Sequence, residues 1–206
     1  REELHKTIWK VANDLRWSID WWDFKQYFLW ILFFRFISES IDEVMSNAWG
    51  IEYSEVPDKN IKSWHKDFSI NTKWFFIKLS QLFKNVVKRC EEDKEYASNI
   101  NIKLLEIFKD IEDSARWKDS EKDLSWLFRD IDLNSNKLWW VLKSRNELLV
   151  KLLQNIRDLN LKFANNTIDA FGDAYEYLIS MYAANAGKSW WEYFTPQEVS
   201  ELLSKI

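Results

Sequence analysis

Helix breakers are so scarce in this chain that most folds open to a sequence of its size are excluded at once. Its 206 residues include 3 Gly and 2 Pro, far too few to punctuate the many tight turns of a sheet-rich domain. No long stretch alternates apolar and polar residues with a period of two, whereas apolar residues recur at spacings of three and four over most of the length. The segment therefore reads as all-α.

The periodicity predicts a first helix over residues 2–15, with Leu4, Ile8, Val11 and Leu15 on one face. A second, over 22–45, is apolar nearly all round in its first half, which predicts a central position. Residues 46–61, containing Gly50 and Pro57, read as an irregular connection. Further helices are predicted over 77–96, 100–112 and 124–128. Another runs over 138–159, carrying Leu138, Leu142, Leu149, Leu152, Ile156 and Leu159 on one stripe. The polar stretch 160–167 is the expected domain boundary, dividing a helical unit of residues 1–160 from a second unit starting within 161–206. The first helix of that unit is predicted over 168–184, ending near Gly187. A chain of this length can hold one ordinary domain and part of another.

Several function classes lose support at the level of residue types. A net charge of −4 leaves no global basic footprint for nucleic acid. The single cysteine, Cys90, cannot form an internal disulfide and has no metal-ligand partners at useful spacing, so the default location is cytoplasmic. The most apolar run, residues 27–36, is interrupted by Arg35 and is shorter than the roughly 20 residues needed to cross a bilayer, so it reads as a buried helix and not a membrane span. Gly187-Lys188-Ser189 mimics the end of a phosphate-binding loop, but Tyr182 stands where the earlier glycine is required and no strand precedes it. His5 and His65 are isolated and read as surface or capping residues. The acids Asp110, Glu112, Asp113, Asp130 and Asp132 read as helix-end and loop carboxylates. The stripe Phe28, Phe33, Phe34 and Phe36 reads as core. The chain opens at Arg1 without an initiator Met, which suggests a trimmed or partial sequence.

One stretch reads as a site. Residues 185–199 describe a turn delivering two aromatics, Tyr193 and Phe194, to a capped helix: Thr195 can cap, Pro196 suits the first helical position, and Glu198 sits where a capping box places an acid. The free N–H groups and positive dipole end of that helix would favour an anion or carboxylate, although any capped helix has such an end and a purely structural cap remains open.

Residues 166–206, from Asn166-Thr167-Ile168-Asp169-Ala170-Phe171-Gly172-Asp173-Ala174-Tyr175-Glu176-Tyr177-Leu178 through Phe194-Thr195-Pro196-Gln197-Glu198-Val199, closely resemble the modification (M) subunit of type I restriction-modification systems. The N-terminus resembles the same family through Leu4, Ile8-Trp9, Ala12-Asn13, Leu15-Arg16, Trp22-Asp23-Phe24-Lys25-Gln26-Tyr27, Leu29 and Ile31-Leu32-Phe33-Phe34-Arg35-Phe36-Ile37-Ser38. Asp132-Leu133-Asn134-Ser135-Asn136-Lys137-Leu138 and Lys143-Ser144-Arg145-Asn146 also match, and the resemblance loosens between about 45 and 72.

The resemblance implies an N6-adenine DNA methyltransferase using S-adenosyl-L-methionine. It implies an N-terminal helical domain followed by the helical lead-in to an α/β Rossmann-like domain that is largely absent from this segment. It assigns contact with the methionine part of the cofactor to Glu192, Tyr193, Phe194, Thr195, Pro196 and Gln197. The implied partners are a specificity (S) subunit, a second M subunit, a restriction (R) subunit and double-stranded DNA held by the complex. The family's Gly-rich loop, of the form Asp-Pro-x-x-Gly-Ser-Gly, and its Asn-Pro-Pro-aromatic motif, which holds an extruded adenine, have no counterpart here. Pro57 and Pro196 stand in neither setting, so no catalytic residue is expected within this segment and both motifs are expected beyond Ile206. Two other readings stay open at this point: a non-enzymatic, aromatic-rich helical interaction module, and an M subunit of another adenine methyltransferase type.

Composition then shows an imbalance. Ordinary usage would give roughly 14 glycines in a chain this long, yet there are 3 Gly and 14 Trp. Trp17, Trp21, Trp30, Trp74, Trp117, Trp126, Trp139, Trp190 and Trp191 stand where the family usually carries glycine, whereas Trp9 and Trp22 match family tryptophans. UGA is read as Trp in some bacterial codes and as Gly in others, so glycine codons decoded as tryptophan would account for the pattern. An aromatic-rich protein with true tryptophans is the alternative. The two differ physically, because glycine serves where the backbone needs positive φ or close approach, and Trp supplies neither cheaply.

Overall fold

A computed structural model describes residues 2–15, 21–115, 128, 133, 142–159 and 167–185, and the described residues contain helices and no strand. The helices are α1 (Glu2–Leu15), α2 (Trp21–Trp49), α3 (Ser63–Lys73), α4 (Phe83–Glu92), α5 (Lys94–Ser98), α6 (Ile100–Ser114), α7 (Leu142–Arg157) and α8 (Thr167–Asn185). Single 3-10 turns occupy Tyr53–Glu55, Asp58–Asn60 and Leu79–Gln81.

α2 is the axis of the bundle, as its all-round apolar composition predicts, with α4, α7 and α8 packed about it. Tyr27, Phe28, Ile31, Leu32, Phe34, Ile37, Ile41 and Met45 are all buried along it. Phe34 meets Phe83 of α4 and Phe108 of α6 edge-on, at 5.7 and 5.4 Å between centroids, a favoured geometry for aromatic pairs. The phenylalanine stripe is therefore core: Phe28 and Phe34 are buried, and Phe33 and Phe36 pack partly buried against the same cluster. α1 contributes Ile8 and Val11 to it, α7 contributes Leu149, Leu152 and Ile156, and α8 contributes Ala174, Leu178 and Met181.

α2 outlasts the predicted stop at residue 45 because nothing in the next four residues breaks a helix. It ends where Gly50 turns left-handed, with φ 63°, and donates its N–H to the Ser46 carbonyl at 2.8 Å. The connection then folds back on α2 by side-chain pins. The Tyr53 N–H donates to Ser46 Oγ and the Ser54 N–H to Asp42 Oδ1, both at 2.9 Å.

Two local features escape the periodicity. α3 carries only one buried residue, Ser69, so it has little amphipathic signal. Its start is satisfied by His65, whose Nδ1 accepts from the Lys62 N–H at 2.9 Å while its own N–H donates to the Lys62 carbonyl at 3.0 Å. The predicted continuous helix over 77–96 is instead a 3-10 turn, α4 and α5. Asp93 leaves helical geometry, at φ −123° and ψ 101°, and caps α5 by accepting from the N–H groups of Glu95 and Tyr96 at 3.0 Å each. The predicted helix over 124–128 lies outside the described residues except for Phe128, a buried residue in a bend stacked on Phe108 at 4.4 Å. Residues 138–141 of the helix predicted over 138–159 also lie outside them.

Candidate functional site

The residues assigned to a cofactor rim, Glu192, Tyr193, Phe194, Thr195, Pro196 and Gln197, lie outside the described residues, as do Gly187-Lys188-Ser189, Asp130 and Asp132. α8, the last described helix before them in the sequence, packs on both α1 and α2. His5 of α1 stacks flat on Tyr177 of α8, with centroids 4.1 Å apart and an interplanar angle of 6°. Burial raises the Tyr177 phenol above its ordinary pKa, so it stays neutral in this stack.

Two polar side chains lock the helices beneath α8. Arg35, 8% exposed, reaches from α2 to the C-terminal end of α7. Its Nη1 donates to the carbonyls of Ile156, Arg157 at 3.2 Å and Leu159 at 2.8 Å, and its Nε donates to Glu39 at 2.7 Å. A cation there satisfies last-turn carbonyls that no helical N–H reaches, and complements the negative dipole end. Asn146 of α7, 2% exposed, donates to the Ser98 carbonyl and accepts from the Asn101 N–H at 3.1 Å, clamping the α5–α6 junction to α7. In the sequence Arg35 figures as an interruption of an apolar run and as a letter of the family resemblance, with no structural role assigned. A lone guanidinium inside a buried helix has to be hydrogen-bonded, and that was the available signal.

The remaining titratable groups form no catalytic constellation among the described residues. A cleft of about 680 Å³ lies between α2, the end of α3, the start of α4 and the end of α7. Its charges are largely engaged: Arg35 with Glu39, Lys84 with Glu52 at 2.7 Å and Glu55 at 3.1 Å, and Arg157 with Glu91 at 2.6 Å. The hydrogen bond from Lys84, reinforced by its charge, holds Glu52 below the usual carboxylate range. Burial pushes the Asp110 carboxyl up, but hydrogen bonds from Lys78 and Gln81 outweigh it and hold it low. Cys90 is buried and its thiol is pushed up to about 11 by burial and by Glu91, the reverse of what a nucleophile needs. His65 stacks on Trp64 at 3.7 Å and caps α3, a structural role. No group of His, Cys, Asp or Glu able to hold a metal occurs among the described residues, and no helix there is long and apolar enough to cross a membrane.

Among the glycine-position tryptophans, two have described side chains. Trp30 lies on α2, edge-on to Tyr27 at 5.4 Å. Trp74 is different: it ends α3 at φ 70° and ψ −2°, and among the described residues no other non-glycine residue has positive φ.

A helical bundle whose buried polar side chains are spent on internal pins is a scaffold unit. The comparisons give that class a family. Residues 4–156 match the family model described as the HsdM N-terminal domain, and residues 166–206 match the model of the N-6 DNA methylases. The chain is 44% identical over 215 residues to the type I restriction enzyme MpnII methylase subunit of Mycoplasma pneumoniae, a match covering 100% of this chain and 39% of that protein. Its fold is similar to the crystal structure of a type I restriction-modification methyltransferase subunit from Streptococcus thermophilus, with a TM-score of 0.75 and 24% identity, over 98% of this chain and 42% of that one. The chain belongs to the HsdM N-terminal domain family, and it spans about two fifths of the length of these relatives.

Proposed function

We propose that this chain is the N-terminal part of a type I modification subunit that transfers a methyl group from S-adenosyl-L-methionine to adenine N6 in DNA. The observation that carries the reading is the order of two family matches on one chain: the helical HsdM unit over 4–156, then the opening of an N-6 DNA methylase over 166–206. In this reading residues 1–160 pack against subunits and DNA, and 161–206 begin the catalytic domain. The residue types at 192–197 suit the methionine part of the cofactor. Tyr193 and Phe194 offer apolar faces to its thioether chain, and the N–H groups of the helix opened by Thr195 and Pro196 suit its carboxylate. The cofactor supplies the methyl group; these side chains hold and orient it. The specificity subunit, a second M subunit and a restriction subunit are the partners, with double-stranded DNA engaged through the complex in the cytoplasm.

The test is calorimetric titration of S-adenosylmethionine into the full-length subunit and its Phe194→Ala variant. Loss of one aromatic wall should weaken binding by up to about tenfold, for a sulfur–aromatic contribution of about 0.3–1.5 kcal/mol, with the unfolding midpoint unchanged. An unchanged affinity removes the rim from the site. Methyl transfer to DNA by residues 1–206 alone would overturn the assignment of catalysis to later residues.

A further inference from the structure

We infer that the native polypeptide carries glycine at position 74, and that the same decoding places glycine at 17, 21, 30, 117, 126, 139, 190 and 191. Position 74 can be judged against a twin in the same molecule. α2 and α3 end alike, each with a residue just past the helix in the left-handed region whose N–H returns to the carbonyl four residues back. Gly50 does this at φ 63° with its N–H on Ser46, and Trp74 at φ 70° with its N–H on Ile70, both at 2.8 Å. That cap belongs to glycine, because a Cβ at positive φ crowds the neighbouring carbonyl oxygen.

The conformation is demanded from both sides. The next three residues are held by side chains from three different segments. Ser69 Oγ donates to the Phe75 carbonyl at 2.7 Å, the Phe76 N–H donates to Ser114 Oγ at 2.9 Å, and Tyr53 Oη donates to the Ile77 carbonyl at 3.4 Å. Ser69 lies on α3 itself, so its bond to Phe75 requires the chain to reverse within the turn at 74. Nor does burial of the indole compensate for the strain, since Trp74 is 63% exposed, the most exposed of the large hydrophobic residues described. Trp30 shows the contrast: its backbone is helical and its ring is packed, so geometry there does not discriminate. The extension from position 74 to the other eight rests on the chain-wide count of 3 Gly against 14 Trp, which a single reassigned codon accounts for.

The functional consequence rests on the proposed cofactor rim. Trp190 and Trp191 immediately precede Glu192, so the working protein would carry Gly-Gly ahead of the rim, and the tryptophan form would place two indoles there.

The test has three arms. In the gene, the nine positions should be UGA and those of Trp9 and Trp22 UGG; a UGG codon at 74 overturns the inference. The protein purified from its own cells should yield a peptide with glycine at 74 by mass spectrometry, and tryptophan there overturns it equally. In the full-length subunit, Trp74→Gly should raise the unfolding midpoint by about 1–2 °C while Trp74→Ala, still carrying a Cβ, should recover less than half of that. A drop with Trp74→Gly refutes the geometric argument. S-adenosylmethionine affinity of the Trp190→Gly, Trp191→Gly double variant is scored separately. If affinity does not rise while the peptide reads glycine, the decoding stands and the rim assignment falls.

Discussion

Replacing Arg35 with methionine isolates the polar lock between α2 and α7, because methionine keeps most of the apolar stem and removes the charged head. Arg35 is nearly buried, and its Nη1 faces three carbonyls at the end of α7, with those of Ile156 and Leu159 at the shorter distances. A hydrogen bond to a charged group contributes about 1.5–3 kcal/mol net, so losing the two good ones costs about 3–6 kcal/mol. Relaxation and water entry reduce this, and about 3–5 kcal/mol is the range measured when one partner of a buried charged interaction is removed. The Glu39 contact adds little, since that carboxylate is 50% exposed and exposed pairs contribute about 0–1 kcal/mol. Against a total stability of about 5–15 kcal/mol, the substitution removes a large share.

The assay is urea denaturation followed by far-UV circular dichroism, comparing Arg35→Met, Arg35→Lys and Glu39→Gln at equal slope. Arg35→Met should lose about 3–5 kcal/mol, Arg35→Lys roughly half of that because a point charge cannot span the same carbonyls, and Glu39→Gln under about 0.5 kcal/mol. A loss below about 1 kcal/mol for Arg35→Met would refute the claim that the guanidinium, and not apolar packing alone, holds the end of α7.

Asn146→Ala should cost about 2–3 kcal/mol, since it orphans the Ser98 carbonyl and the Asn101 N–H together; hydrogen exchange at Asn101 should accelerate in the folded state. Glu52 and Asp110 both have folded pKa values below their ordinary 4.5 and 3.8, so their contribution is present above those values and is lost as pH falls through the folded ones. Stability should therefore decline below about pH 4.5, and Lys78→Met should flatten the Asp110 part of that decline in an acid titration of the unfolding midpoint. Cys90, buried with a thiol near 11, should react with a thiol reagent at pH 8 only as fast as the protein opens, and labelling at the rate of a free thiol would show that the α4 face is not closed.

What the sequence made legible follows the range of the forces involved. α1, α2, α6, α7 and α8 were readable because each carries apolar residues at helical spacing over most of its length, nearly all round in the first half of α2, and α1 lies where it was expected. The stripe of Leu149, Leu152, Ile156 and Leu159 is buried as its spacing predicts. α3 was not readable, because its stability comes from outside itself. It depends on the His65 cap, the Ser69 bond to Phe75, and Trp49, which meets Trp64 edge-on at 5.4 Å and His65 at 4.6 Å. The break at Asp93 was missed for another reason. Apolar periodicity runs straight through a helix junction when both helices face one core, and only the capping chemistry of a single aspartate marks the seam. The expectation of a rim at 192–197 comes from family resemblance alone and falls outside the described residues, since Thr195-Pro196 locally announces a helix start and says nothing of a ligand.

The segments that carry the family resemblance also carry the locks. Arg35 lies in the block from Ile31 to Ser38 and Asn146 closes the block from Lys143, and each spends its polar atoms on backbone groups far along the chain. A motif of this kind preserves a geometry between helices, with no chemistry of its own. Its value to the proposed site lies downstream. α8 is laid against α1 and α2, with Ala174, Leu178 and Met181 buried and Tyr177 stacked on His5, so its position is set by the core. The proposed rim begins at Glu192, seven positions along the sequence from Asn185, a separation of at most about 25 Å when extended, so on the proposed function the placement of α8 bears on where the rim can lie. Under the proposed function, disturbing Arg35 or the His5–Tyr177 stack should therefore reach the cofactor through position, and exchanging Trp190 and Trp191 for glycine should reach it through access.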